Sequence, residues 1–291
     1  TAFFSSLGQN LALYDKFKQL KQSPDFSKLS TAQKKVIENS LRDFRLGGAE
    51  LPDSEKTRFS KIQDEQAVLS KAFSDHVLDA TDGFIHLVQN EDELAGLPED
   101  AIAAAADNAT QKNLKGWVFS LHFPSYFPVM QYAENRNLRR LMYEAYVTRS
   151  SELGPKFGHG QLDWDNTENM LEQLRLRDEE ARMLGFNNYA ALSLAPKMAQ
   201  SVQEVDQFLS NIATRAKPYA QQDWLELQNF AKSHLNLEGD LQPWDIAFAS
   251  ERLKQERYAF SENELKQYFP LPKVLDGLFQ VIQTLFGVKI E

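Results

Sequence analysis

Ser30/Gln33, Asp165/Glu168, Ser201/Glu204 and Ser261/Glu264 each set a serine or aspartate three residues ahead of a glutamine or glutamate, close to the start of an apolar stripe. At that spacing two side chains can reciprocally satisfy the unpaired amides of a helix start, so each pair predicts a helix N-terminus. Gly47-Gly48 and Gly185 supply matching stops. Between these signals apolar residues recur every three or four positions. Leu11, Leu13, Tyr14 and Phe17 do so within Leu7 to Leu20, and Ile62, Leu69, Phe73, Val77 and Ala80 do so along a long helix from Asp53 towards Asp79. Leu138, Leu141, Met142 and Ala145 form the stripe of an Asn135 to Tyr146 helix whose other face is basic. A chain punctuated in this way must bury stripe against stripe, helix on helix.

The period changes once. Phe84 to Val88 is too short for a helix and rich in strand formers, and Trp117, Phe119, Leu121 and Phe123 alternate with Val118, Ser120 and His122. With Pro98 opening an Ala-rich helix over Glu99 to Ala106, these two runs predict a small antiparallel ribbon interrupted by a helix, after a turn at Thr81-Asp-Gly83. The fold class is mainly α, a multi-helix scaffold with a small antiparallel β-ribbon. Pro124 and Pro128 are expected to bracket a loop, and Gly154 to Gly160, which contains His159, reads as a surface loop without phosphate-cradling spacing. Val205, Phe208, Leu209 and Ile212 mark a helix ending before Pro218, followed by a second long helix through Trp224 and Phe230. Pro243-Trp-Asp-Ile246 starts a helix carrying Phe248, Leu253 and Tyr258. The last helix, from about Pro272, is expected to bury Val274, Leu275, Leu278, Val281, Ile282 and Leu285. No repeat of fixed length is present, although Leu184-Gly-Phe-Asn-Asn-Tyr189 echoes the Leu-Gly-x-x-Tyr element of tetratricopeptide repeats.

The Asp165 to Met198 stretch carries an unusual charge. Met170, Leu174, Ala181 and Leu184 recur at helical spacing, and Arg177 falls between them with Asp178 beside it. Arg177 and Asp178 are therefore read as a structural buried charge, an ion pair or a snorkelling arginine at the edge of a core, rather than as a ligand site.

Composition narrows the partners. A net charge of −9, with acids and bases alternating along the chain, argues against nucleic acid, which demands a clustered cationic surface. No apolar run reaches the roughly 18 residues that a membrane span needs. With 42% apolar residues, 20 Phe and a mean hydropathy of −0.48, the chain has the composition of a globular protein. The absence of cysteine excludes disulfides and thiolate chemistry, and fits a reducing, cytoplasmic location. Thr1 is not a methionine, and the chain stops at Gly287-Val-Lys-Ile-Glu291 as a helix gives way to another element, so a piece of a longer protein is expected.

Reactive motifs are missing. None of the five histidines, at 76, 86, 122, 159 and 234, has another three or four residues away, and none is followed by glutamate. That removes the helical zinc clamp H-E-x-x-H, and no G-x-S-x-G elbow, Walker loop or dinucleotide fingerprint replaces it. No catalytic and no metal-ligating residue is assigned.

Three blocks nevertheless have a familiar wording: Asn135 to Ser150, Asp165 to Ala199, and Leu241-Gln-Pro-Trp-Asp-Ile-Ala-Phe-Ala-Ser250. Together with Ser30-Thr-Ala-Gln-Lys-Lys35, Val77-Leu-Asp-Ala-Thr81, Tyr268-Phe-Pro-Leu271 and Val274-Leu-Asp-Gly-Leu-Phe279, they resemble the thimet oligopeptidase and neurolysin family of zinc metallopeptidases, in the family's order and over nearly the whole chain. The resemblance implies a neurolysin-like, zincin oligopeptidase scaffold in which two helical halves enclose a channel that admits short peptides. It also implies zinc in the full-length enzyme, held by an H-E-x-x-H helix and a later glutamate, all beyond the position of Glu291. This chain would then be an inactive fragment needing no cofactor, with residues 1–123 an N-terminal helical region containing the ribbon and 124–291 a helical part leading into the zinc segment. The alternative is a non-catalytic truncated homologue acting as a helical binding module. If the chain continues in the parent enzyme, as the resemblance implies, part of the dense set of large apolar groups from Trp244 to Phe279, Phe260 among them, is expected to pack against the following segment and here to form an open apolar patch, with self-association or local disorder near the C-terminus.

Overall fold

In a computed structural model, residues 7–158, 162–237, 239–259 and 262–290 are described; His159, Phe260, the expected cap at Ser261 and Glu291 lie outside them. The described residues form 14 α-helices and one two-stranded antiparallel sheet, as the alternation of helix caps and stripes requires. The chain divides into two compact units. The first comprises Thr1–Ala80, Arg149–Pro155 and Gly160–Tyr219, and the second Thr81–Thr148, Lys156–His159 and Ala220–Glu291.

In the first unit α1 (Leu11–Gln22), α2 (Pro24–Lys28) and α3 (Thr31–Leu46) close over Tyr14, Ile37, Leu41 and Phe44. Ser30 and Gln33 make the reciprocal cap of α3, with Ser30 Oγ accepting from the Gln33 amide and Gln33 Oε1 from the Ser30 amide at 3.3 and 2.9 Å. The long helix α4 (Asp53–Gly83) buries Phe59, Ile62 and Ala80. It runs through Thr81-Asp-Gly83, where a turn was expected, because Asp and Gly at the last turn weaken a helix without ending it.

In the second unit β1 (His86–Val88) pairs with β2 (Trp117–Phe119), His86 opposite Phe119 and Val88 opposite Trp117, with α5 (Glu99–Gln111) between them in sequence. Gly116 makes this pairing possible: its φ is +119°, and a Cβ there would stand 2.3 Å from the Val88 carbonyl oxygen. The segment expected to be a loop is helix α6 (Phe123–Tyr132), with Pro124 in its first turn and Pro128 inside it. A first-turn proline loses no hydrogen bond, and burial of Tyr126, Val129, Met130 and Tyr132 offsets the cost at Pro128. Helix α7 (Arg136–Thr148) adds Leu138, Met142 and Ala145 to this core. Gly154–Phe157 forms the short helix α8 within the expected loop.

Helix α11 (Val202–His234) is continuous through Pro218, since one lost bond is a small part of a 33-residue ladder. Helix α12 (Pro243–Tyr258) begins at Pro243 as expected, and Leu241, Leu227, Ala231 and Ala249 join it to the end of α11. The short α13 (Glu262–Lys266) is tied to α5 by Lys266 and Asp100 at 2.9 Å, and α14 (Leu271–Phe286) follows. The stripe expected to bury α14 is present but open. None of its residues is buried, and Val281 and Leu285 are 55% and 70% exposed.

Candidate functional site: two charge frameworks and a free arginine

The buried chemistry of the second unit gathers where α7 meets α12. Asn135 Oδ1 caps α7 by accepting from the amides of Asn137 and Leu138 at 3.0 and 3.2 Å. This fixes the first turn, in which Arg136 and Arg139 both reach Asp245. Arg136 donates from Nε and Nη2 to the two carboxylate oxygens over 2.7–3.2 Å, and Arg139 donates from Nη2 to Oδ1 at 2.9 Å. Arg139 is 1% exposed and Asp245 0%, so their polar atoms must be satisfied inside the protein. They are: Arg139 also donates to the carbonyls of Ala133, Glu134 and Trp244 at 2.7, 3.2 and 3.1 Å, and its guanidinium lies 4.1 Å over the Phe248 ring. Asp245 further accepts the Gln242 amide at 3.1 Å, closing the start of α12.

Burial opposes the charge on Asp245, but the two guanidiniums outweigh it and hold the carboxyl below its ordinary value. Burial likewise pushes the Arg139 guanidinium down, against the pull of Asp245, and arginine remains cationic. Around the rim, Arg252 Nη2 donates to Glu134 Oε1 at 3.3 Å. Gly96, with φ +85°, lets the Tyr132 carbonyl come to 2.3 Å from where a Cβ would stand. With Arg139 and Asp245 bonded to one another, to Arg136 and to the surrounding backbone, this cluster is a clamp between helices. The sequence reading placed the arginines of α7 on an outer basic face. In the structure Arg139 turns inward, because Leu138 and Met142 flank it on the helix wheel and α12 offers a carboxylate opposite.

In the first unit α9 (Thr167–Met183) lies along α4 through polar bonds. Arg58 grips Glu179 with Nε and Nη2, both at 2.6 Å, and reaches Glu65 at 3.2 Å; Arg175 bridges Glu172 and Glu179. The Arg58 fork holds the Glu179 carboxyl below the usual carboxylate range. Gln66 donates to Glu180 at 2.9 Å, and Asn169 to the Leu69 carbonyl at 2.9 Å. Asn166, 1% exposed, donates to the Phe73 carbonyl at 3.2 Å and faces His76 Nδ1 at 2.9 Å. Half-buried His76 is thus a hydrogen-bonded packing residue.

These bonds correct two readings of α9. Asp165 does not form a capping box with Glu168; it accepts from the amide and hydroxyl of Thr167 at 2.9 and 2.7 Å, with Asn166 in the cap position. The buried face carries Asn166, Leu176 and Ala181, and the expected stripe residues Met170 and Leu174 are exposed. The polar ladder to α4 sets the rotation of the helix and turns those two side chains out. Arg177 is half-buried, 5.1 Å over the ring of Tyr189 at the start of α10 (Tyr189–Leu194), with an Nε shielded from solvent that has no hydrogen-bond partner. Asp178 is turned to Arg182 at 2.7 Å instead.

No metal centre is assembled among the described residues. His122 pairs with Asp82 at 2.8 Å and His234 with Glu256 at 3.6 Å, each a single acid and a single imidazole, so the described residues do not fit a zinc site.

The comparisons place the chain. Residues 129–291 match the family described as Peptidase family M3, and residues 1–56 match the Neurolysin/Thimet oligopeptidase N-terminal domain. The first match covers more than half of the chain, and the chain belongs to peptidase family M3. It is similar to Oligopeptidase A of Haemophilus influenzae, 47% identical over 97% of this chain and 41% of that protein. Oligopeptidase A of Escherichia coli is 44% identical over 98% of this chain and 41% of its own length, and the Probable cytosolic oligopeptidase A of Arabidopsis thaliana is 40% identical over 98% and 40%. The chain spans about two fifths of the length of these relatives.

Proposed function

We propose that this chain is the N-terminal and middle portion of a zinc-dependent oligopeptidase that hydrolyses short peptides, and that it supplies helical scaffold and part of a substrate-channel wall. The observation that carries the reading is a match over 97–98% of this chain, at 44–47% identity, that accounts for only 41% of the oligopeptidases. Zinc then belongs to the remainder of the parent protein, since the residues described here do not fit the ion and no step of hydrolysis is assigned to them. A division into residues 1–123 and 124–291 is supported by the start of the peptidase match at residue 129. A cytoplasmic location is supported by the cytosolic Arabidopsis relative, and no described helix is long and apolar enough to cross a membrane.

The test compares this chain with the same chain extended by the sequence that follows it in its parent reading frame. After dialysis, the extended protein is expected to hold one zinc per chain and to cleave a quenched fluorescent peptide in a chelator-sensitive way, while this chain does neither. A tightly held zinc and chelator-sensitive cleavage by this chain alone would overturn the assignment of the metal to the remainder. A parent frame lacking H-E-x-x-H would overturn the peptidase reading itself.

A further inference from the structure

We propose that the cleft around Arg177 is a carboxylate site, whose ligand is the free C-terminal carboxylate of a short peptide ending in an apolar residue. The choice of a peptide rests on the peptidase reading above; the binding chemistry rests on this cleft alone. Arg177 makes no hydrogen bond to any described residue, and its Nε is closed off from solvent without a partner. The donors left to a ligand are the Nη groups of this half-buried side chain, which can offer a carboxylate two parallel bonds. The nearby acids are all committed elsewhere: Asp178 to Arg182, Glu179 to Arg58 and Arg175, and Glu180 to Gln66. Tyr189 backs the guanidinium at 5.1 Å and limits its swing.

The space in front of it suits the rest of such a ligand. The cleft has a volume of about 380 Å³, near the lower end of ligand sites, and is lined with Arg177 by Ser70, Phe73, Ser74, Met170, Gln173 and Leu174. No acid is among them to compete for the cation or repel an anion. Met170 and Leu174, 45% and 62% exposed, form an apolar lip where a terminal side chain can be covered, and Ser70 and Gln173 offer polar groups at the edge. The rotation of α9 thus leaves Met170 and Leu174 at the mouth of a cleft shared with Ser70, Phe73 and Ser74 of α4, beside a guanidinium that makes no hydrogen bond or ion pair to a described residue.

The probes are N-acetyl-Leu-Leu with a free carboxylate, its C-terminal amide, and N-acetyl-Asp-Leu amide, titrated into the ¹⁵N-labelled 291-residue chain while the arginine Nε–H resonances are followed. The resonance missing in Arg177→Gln identifies Arg177. The free acid is expected to shift it saturably, with Kd on the order of 1 mM, and the amide to bind at least about tenfold more weakly. Arg177→Lys, which keeps the charge but loses the fork, is expected to weaken the acid without abolishing it. No saturable shift with the free acid, or equal binding by its amide, overturns the site. Equal binding by the aspartyl amide overturns the C-terminal assignment in favour of acidic side chains. Should Arg177→Gln not fold, the contrast of acid and amide on the unaltered chain still decides. Because no catalysis is measured, failure here leaves the peptidase reading standing, and failure of that reading leaves the binding result intact.

Discussion

Replacing Asp245 with asparagine lowers the stability of the second unit by about 3–5 kcal/mol, the cost of leaving a buried charge without its partner. The charge is Arg139, 1% exposed and enclosed by the Ala133, Glu134 and Trp244 carbonyls and the Phe248 ring. Those carbonyls satisfy its donors but carry no full negative charge, so the carboxylate is what balances it. Arg136 loses less, being partly in water, where an ion pair contributes little. In urea denaturation followed by hydrogen exchange, α7 and α12 are expected to lose protection first, and the thermal midpoint to fall on the order of 10 °C. An unchanged midpoint would show that Arg139 is balanced by something other than Asp245. A double change, Arg139→Met with Asp245→Leu, is expected to restore much of the loss, because removing both charges removes the imbalance.

The same pair sets an acid limb. The carboxyl of Asp245 in the folded state lies below its ordinary value of 3.8. Its contribution to stability is therefore complete above that value and is lost as pH falls through the lower, folded one. In Asp245→Asn this part of the acid destabilisation is expected to disappear, so the stabilities of variant and parent chain converge towards low pH. Curves that stay parallel below pH 4 would contradict the assignment.

The open face of α14 has the other large expected effect. Val274, Leu278, Val281, Leu285 and Phe286 are 44–73% exposed, and Tyr268 and Phe269 just ahead of the helix and Leu271 at its first position are 68–76% exposed. Such a run of exposed apolar groups along one helix and its approach is the kind of surface that proteins ordinarily cover. The chain alone is expected to self-associate as its concentration rises, with fast amide exchange over residues 262–290. Extending the chain with the segment that follows it in the parent frame, in cis or added separately, is expected to give a monodisperse monomer and to slow that exchange by a factor of a hundred or more, about 3 kcal/mol of local protection. Light scattering showing a monomer at all concentrations, with slow exchange throughout, would mean that α14 finds cover within this chain.

Much of the architecture was legible because it is written in local chemistry. The cap at Ser30 and Gln33, the stops at Gly47-Gly48 and Gly185, the two short runs that pair as β1 and β2, and the start of α12 at Pro243 depend on residues a few positions apart. Prolines misled where they were treated as breaks. Pro128 and Pro218 sit inside helices, held there by burial in one case and by ladder length in the other, and neither influence is local to the dipeptide. The family was also legible, since wording of whole blocks survives where no reactive motif does.

Helix rotation was decided only in three dimensions. A stripe drawn on α9 from apolar residues pointed Met170 and Leu174 inward, whereas Arg58, Gln66 and the Leu69 and Phe73 carbonyls, some 90 to 120 residues earlier in the chain, turned a polar face there instead. For the same reason Arg139 passed for a surface charge until α12 brought Asp245 against it, and at Arg177, where the sequence left an ion pair and a snorkelling side chain open, only the structure shows Asp178 turned to Arg182. A sequence fixes which groups an element carries and where it starts and stops. Which face is buried depends on the partner's polar groups as well as on apolar area, and that balance is struck between segments far apart in the chain.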